Sequence, residues 1–207
     1  MSIVYHAWLA ECYTLIMTGR THDLFAFTAL SCILATQPIP KMSLATGLVA
    51  LCACFIGGLA PDIDQPTADL WGRLPAGNVI SRVFTPFLGG HRWISHSLIG
   101  VALFAIITKV LLNLLGTFIL VDMHIVWLAF MIGFVSHLVI DMITKEGIAW
   151  LFPLPLHFGF PPLRAFRIQS AGMFEKSVIF PGLLFFNVFL YSRYYKVFYS
   201  LLKSFAP

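Results

Sequence analysis

Residues 125–143 read IVWLAFMIGFVSHLVIDMI. A membrane helix needs about 20 mostly apolar residues, and this run qualifies except at His137 and Asp141, near its end. On a helix, two residues four apart share one face, one turn from each other. An ionisable side chain at membrane depth costs about 2.5–3.5 kcal/mol on insertion scales, so such residues are usually functional or paired. The reading of the chain therefore turns on whether its remainder is also membrane and what it supplies to that pair.

The composition answers the first question. Of 207 residues, 59% are hydrophobic and only 11% charged, and the mean hydropathy is +0.88. A soluble domain carries about 25% charge, so an integral membrane protein is expected. The net charge of +4 raises the question of nucleic acid. The basic residues are scattered rather than clustered, however, and suit membrane orientation instead. Cys12, Cys32, Cys52 and Cys54 include no Cys-x-x-Cys pair and read as small packing residues. Residues 2–19 hold no Lys or Arg, so no secretory leader is expected.

Two more runs match the first in length and polarity, Met42–Ala60 and Ser97–Val121. Ser43 is placed to cap the former. Two weaker candidates are His22–Gln37, interrupted by Thr28, Ser31 and Thr36, and Val178–Tyr191, which holds Pro181. The stretch VYHAWLAECYTLIM before His22 suits an interfacial helix or a sixth apolar element. The expected fold is all-α: a polytopic membrane helix bundle with about five spans and two long loops. It forms a single domain over 1–207, with its core at 21–192. The loops are Pro61–Trp93 and Thr144–Ser177; the second contains FPLPLHFGFPPL, whose prolines rule out a regular helix.

With the N-terminus in the cytoplasm, the inner segments hold Arg20, Arg73, Arg82, Arg92, Lys145, Arg164, Arg167 and Lys176. The outer ones hold Lys41, Arg193, Lys196 and Lys203. The positive-inside rule then puts both long loops in the cytoplasm. The same topology gathers His22, Asp23, Asp62, Asp64, His91, His96, His137, Asp141 and Glu175 at one membrane surface, with Asp122 and His124 at the other. Asp62 and Asp64, two apart in an extended turn, would point to one site. His91 belongs to the loop, Ser95 would cap the next helix, and His96 would stand in its first turn. Imidazoles and carboxylates suit Zn²⁺, Mn²⁺ or Fe²⁺, and this donor count can serve one to three ions.

The set THDLFAF (21–27), APDIDQP (60–66), HRWISHS (91–97) and GFVSHLVIDMIT (133–144), with the later Glu175, resembles the YdjM family of bacterial inner-membrane proteins, described as metal-dependent hydrolases. The order of donors is similar, more loosely, to zinc-dependent phospholipase C and P1 nuclease, although their second His-x-x-x-His/Glu pair is not evident here. The resemblance implies that His22, Asp62, His91 or His96, His137 and Asp141 ligate metal, with Glu175 as a later member of the set. On the residues alone, Glu175 can also pair with Lys176 or Arg167. Asp64 would be a ligand or the group that orients a ligating histidine. Arg92, and also Arg164 and Arg167, would bind an anionic substrate, or only fix topology and touch lipid head groups. Asp64 or His96 would move protons.

Three functions follow as expectations. The first is a metal-dependent hydrolase of ester or phosphodiester bonds in lipid-like substrates, working at the cytoplasmic surface of the inner membrane. The second is a proton or metal transporter using His137, Asp141 and Lys109. The third is a non-catalytic membrane protein with a structural metal. Membrane lipid is the expected partner; nucleic acid is not.

Overall fold

A computed structural model describes residues 19–38, 41–65, 68, 71–72, 77–84 and 93–205. The stretch before Gly19, Cys12, and the loop positions His91 and Arg92 lie outside them. The described helices are α1 (Gly19–Thr36), α2 (Leu44–Leu59), α3 (Gly77–Phe84), α4 (Leu98–Leu115), α5 (Met123–Met142), α6 (Phe180–Arg193) and α7 (Tyr195–Ser204). Among the described residues, three segments are long and apolar enough to cross a membrane: Leu44–Asp64, Leu98–Leu115 and Met123–Met142. These are the three uninterrupted runs of the sequence. The two weaker runs also form helices but fall short of that standard. Polar residues break up α1, and α6 has 14 residues, preceded by a π-turn at Glu175–Ile179.

Helix α5 lies at the centre, against α1, α2 and α4. Glycines bring it close to α2. A Cβ on Gly133 would fall 2.0 Å from the Cys54 carbonyl oxygen, and one on Gly57 would fall 2.1 Å from that of Phe130. Two backbones approach this closely only where side chains are absent, the usual way helices pack without a hydrophobic drive between them. The Ser43 side chain caps α2 as expected, accepting from the Thr46 amide at 3.1 Å. Thr46 Oγ1 accepts in turn from the Asp122 amide at 3.2 Å, so the starts of α2 and α5 are tied at one end of the bundle. Asp122 caps α5 through the amides of His124 and Ile125.

Helix α1 satisfies its hydroxyls internally and against α6. Thr28 donates to the Leu24 carbonyl at 2.7 Å and accepts from Asn187 Nδ2 at 2.7 Å, while Ser31 meets the Tyr191 hydroxyl at 3.0 Å. Helix α4 touches α5 through Phe104 and Phe134, ring centroids 4.8 Å apart, and leaves Leu103, Ile106, Val110 and Leu114 exposed. Lys109 lies 5.1 Å over the Trp127 ring, a cation–π contact between the two helices.

The second loop is irregular, as its prolines require. It folds back on itself through an Ile148–Phe158 antiparallel bridge and a Thr144–Ile168 parallel one. Arg167 straps it, donating from Nε to the Pro161 carbonyl at 2.8 Å and from Nη2 to that of Pro162 at 2.9 Å. These contacts engage the guanidinium that the sequence offered as a substrate ligand. Arg164 remains exposed.

Candidate metal centre

The helices that end or begin at one end of the bundle bring their polar residues together. α2 ends in a 3-10 turn, Ala60–Asp64, with Pro61 at its start. α5 ends on Asp141 and Met142, α1 begins just before His22, and His96 precedes α4. His22, Asp62, Asp64, His96, His137 and Asp141 are all buried.

His137 is the hub. Its Nδ1 lies 2.7 Å from the Gly58 carbonyl oxygen. A carbonyl can only accept, so Nδ1 carries a proton, and in the neutral ring Nε2 would present its lone pair to the cluster. Around that lone pair stand His96 Nε2 at 3.3 Å, Asp62 Oδ1 at 3.5 Å and Asp141 Oδ2 at 3.7 Å. His96 Nε2 lies 3.5 Å from Asp141 Oδ2 and 3.7 Å from Asp62 Oδ1. His22 Nε2 is 3.7 Å from Asp141 Oδ1. Two overlapping groups result, His22–Asp62–His137 and His96–His137–Asp141, each with donor atoms within 4.8 Å of one another.

This donor set fits a divalent cation. Ligand atoms about 2.0–2.2 Å from an ion stand about 3–4 Å apart, and the donor separations of His96, His137 and Asp141, 3.3–3.7 Å, fall in that range. Neutral imidazole and carboxylate are the ligands that zinc, manganese and iron accept. No soft thiolate belongs to either group. Cys54, the buried cysteine, instead directs its Sγ to the Ala26 carbonyl at 3.5 Å.

The two aspartates do not act as an extended pair. In the 3-10 turn they flank His96 on its two nitrogens: Asp62 approaches Nε2, and Asp64 Oδ2 lies 3.7 Å from Nδ1. Successive positions in a helical turn diverge around its axis, where an extended strand would align i and i+2. Asp64 also accepts from Ser95 Oγ at 2.5 Å, and Ser95 Oγ is 2.9 Å from His96 Nδ1. Asp64 and Ser95 thus orient His96 from behind. The cap of α4 is Ser97, whose side chain accepts from the Gly100 amide at 3.1 Å. Ser95 and His96 therefore precede the helix rather than open it.

Burial pushes the His96 pKa down, but hydrogen bonds and charge from Asp141 and Asp64 outweigh it and hold the ring up to about 9. The metal-free cluster therefore keeps a proton where a cation would sit.

Glu175 belongs to neither donor group. It is fully buried; Oε1 accepts from Thr21 Oγ1 at 2.6 Å and Oε2 from the Ala171 amide at 2.7 Å. It ties the end of the second loop to the start of α1, one residue from His22. The sequence could not show this, because one partner is a main-chain amide. Ser95 was read only as a helix cap, and the Gly58 carbonyl was missed. Placement of His91 and Arg92 lies outside the described residues.

Comparisons with known proteins give the chain its family. Residues 17–200 match the family model described as YdjM inner membrane protein. The chain belongs to the YdjM family. It is 30% identical over 149 residues to the inner membrane protein YdjM of Escherichia coli (strain K12), covering 71% of each chain. It is 30% identical over 171 residues to the uncharacterized protein YvsG of Bacillus subtilis (strain 168), covering 81% of this chain and 89% of the relative. No solved structure matches this YdjM-family chain with significance.

Proposed function

We propose that this YdjM-family protein is a metal-dependent hydrolase of ester or phosphodiester bonds in lipid-like molecules, with its centre at the cytoplasmic surface of the membrane. One observation carries the reading. The Nε2 atoms of two buried histidines face each other at 3.3 Å, one ring held in place by the bond from its Nδ1 to the Gly58 carbonyl, with carboxylate oxygens 3.5–3.7 Å away. A buried cluster of lone pairs and carboxylates needs positive charge at its middle.

His22, Asp62, His96, His137 and Asp141 would hold the ion or ions. A divalent cation there lowers the pKa of a water ligand to about 7 and polarises a phosphoryl or carbonyl oxygen. Asp62 keeps 8% of its surface exposed, against 2% or less for the other four, so substrate would approach past it. Asp64 and Ser95 fix the His96 ring, and Asp64 is placed to take a proton through Ser95. Arg92, by its place in the sequence beside Trp93, would meet the anionic oxygens of the substrate. The transport reading has less support: Lys109 lies over the Trp127 ring, ten residues along α5 from His137.

The test is elemental analysis of detergent-purified wild type and of Asp141→Asn and His137→Gln, followed by a panel of phosphoester and ester lipids. Stoichiometric metal in wild type, lost in both variants, with metal-dependent cleavage of one lipid class, supports the reading. A well-folded wild-type protein that takes up no zinc, manganese or iron overturns it.

A further inference from the structure

Outside the centre, the lipid-facing side of the bundle has a groove with two lobes. The upper lobe, of about 350 Å³, lies between Phe25 of α1, Val139 of α5 and Ile143 just after it, and Ile179, Gly182 and Leu183 around the start of α6. The lower lobe, of about 450 Å³, continues between α1 and α5, from Phe25 and Val139 to Ile33 and Leu128. Phe25 and Val139 line both lobes, so the two adjoin at these residues, the waist of the groove. The wall is apolar. Ser136 is the single polar side chain in it, and its hydroxyl is turned away to the Gly133 carbonyl at 2.7 Å. A Cβ on Gly182 would meet no heavy atom within 4 Å, so that wall borders open space.

Position and length indicate the occupant. Phe25 is one helical turn from His22, and Ile140 and Ile143, which line the upper lobe, bracket Asp141. The groove thus begins at the level of the donor cluster. From His22 to Ile33 the chain rises about 16 Å, and from Leu128 to Asp141 about 20 Å, at about 1.5 Å per residue. Half of a hydrocarbon core about 30 Å thick is about 15 Å. The groove therefore runs the depth of one leaflet, the length of an acyl chain, and its shallow end meets the polar centre.

We propose that this groove seats an acyl chain of the membrane phospholipid on which the centre acts. This rests on the hydrolase reading for the word substrate, but not for the acyl seat itself. The lipid enters sideways from the leaflet between α1 and α5. Its chain lies along Phe25, Ala29 and Ile33, which leaves its headgroup at the level of the donor cluster.

The test places the full chain in vesicles of phosphatidylethanolamine and phosphatidylglycerol, doped with a phosphatidylglycerol carrying a diazirine within one acyl chain. After illumination, adducts are mapped by mass spectrometry. Exposed Leu103, Ile106 and Val110 of α4 report ordinary lipid contact. Groove residues should be labelled about fivefold more than these, a difference equivalent to ~1 kcal/mol. Gly182→Leu, which fills the upper lobe and replaces a helical glycine, should remove the excess and leave α4 labelling unchanged; Val139→Trp should do the same at the waist. Equal labelling of groove and α4, or excess labelling that both variants leave intact, overturns the proposal. So do cross-links joining the groove residues of two copies, which would give the groove to a second chain. Bound metal is measured on the same samples. Metal with unselective labelling overturns the acyl seat alone, and selective labelling without metal overturns the reading of the centre alone.

Discussion

The imidazoles of His22 and His137 lie face to face, with ring centroids 3.9 Å apart and planes 14° from parallel. One comes from the start of α1, the other from the end of α5. Two neutral rings stack at that spacing without charge repulsion, and neutral imidazole is the form in which histidine ligates metal.

The stack separates two roles of His22. His22→Phe keeps an aromatic wall against His137 but removes a donor atom. It should retain a melting temperature within a few degrees of wild type, while bound metal falls at least about tenfold. His22→Ala should lose both. Thermal unfolding and elemental analysis on one preparation check this.

Ser95→Ala should leave every donor in place yet weaken metal binding about 10- to 100-fold, because Asp64 and His96 lose the hydroxyl between them. Ser97→Ala, two residues on, removes a helix cap instead and should cost about 1 kcal/mol of stability. Metal titration and unfolding should therefore rank the two variants in opposite order.

Metal binding should strengthen with rising pH. His96 is held up to about 9 in the metal-free chain, above its ordinary value near 6.5. Its proton therefore stabilises the metal-free fold below about pH 6.5, and that stabilisation fades as pH rises through about 9. A cation must expel this proton, so affinity should climb about tenfold per pH unit for each proton released, and level off near pH 9. Competition titrations at several pH values measure the slope.

Gly133→Ala and Gly57→Ala each place a methyl group against a backbone carbonyl of the facing helix. Each should destabilise by about 1–3 kcal/mol and, by pushing α2 from α5, shift Gly58 away from His137 and reduce bound metal. Gly182→Ala, with open space around it, should be neutral or slightly stabilising. Unfolding in detergent distinguishes the three.

Lys109→Leu should leave metal content and any lipid hydrolysis within about twofold of wild type and remove a charge that is costly at membrane depth. Loss of a metal or proton flux in this variant, measured in vesicles, would restore the transport reading.

The sequence disclosed the parts of this structure that rest on long-range regularity. Met42–Ala60, Ser97–Val121 and Ile125–Ile143 were legible because uninterrupted apolar length has few other uses. The gathering of His22, Asp62, His96, His137 and Asp141 was legible because successive helices must turn back, which sorts their ends between two surfaces. Short-range geometry was less accessible. Asp62 and Asp64 could be aligned only by assuming an extended turn, and the 3-10 turn after Pro61 separates them. Between Ser95 and Ser97, a one-turn choice of helix start decided which was the cap. Glu175 was read with the ligands because its partner at Ala171 is a main-chain amide, which has no signature in side-chain identity.

The carbonyl that sets the His137 tautomer belongs to Gly58, near the end of α2. It is main chain, so no exchange of side chain at position 58 deletes it. The protonation microstate of the hub is written into the register of two helices rather than into any codon nearby. A screen of substitutions at position 58 alone would pass over this determinant, and a one-residue deletion within α2 would expose it.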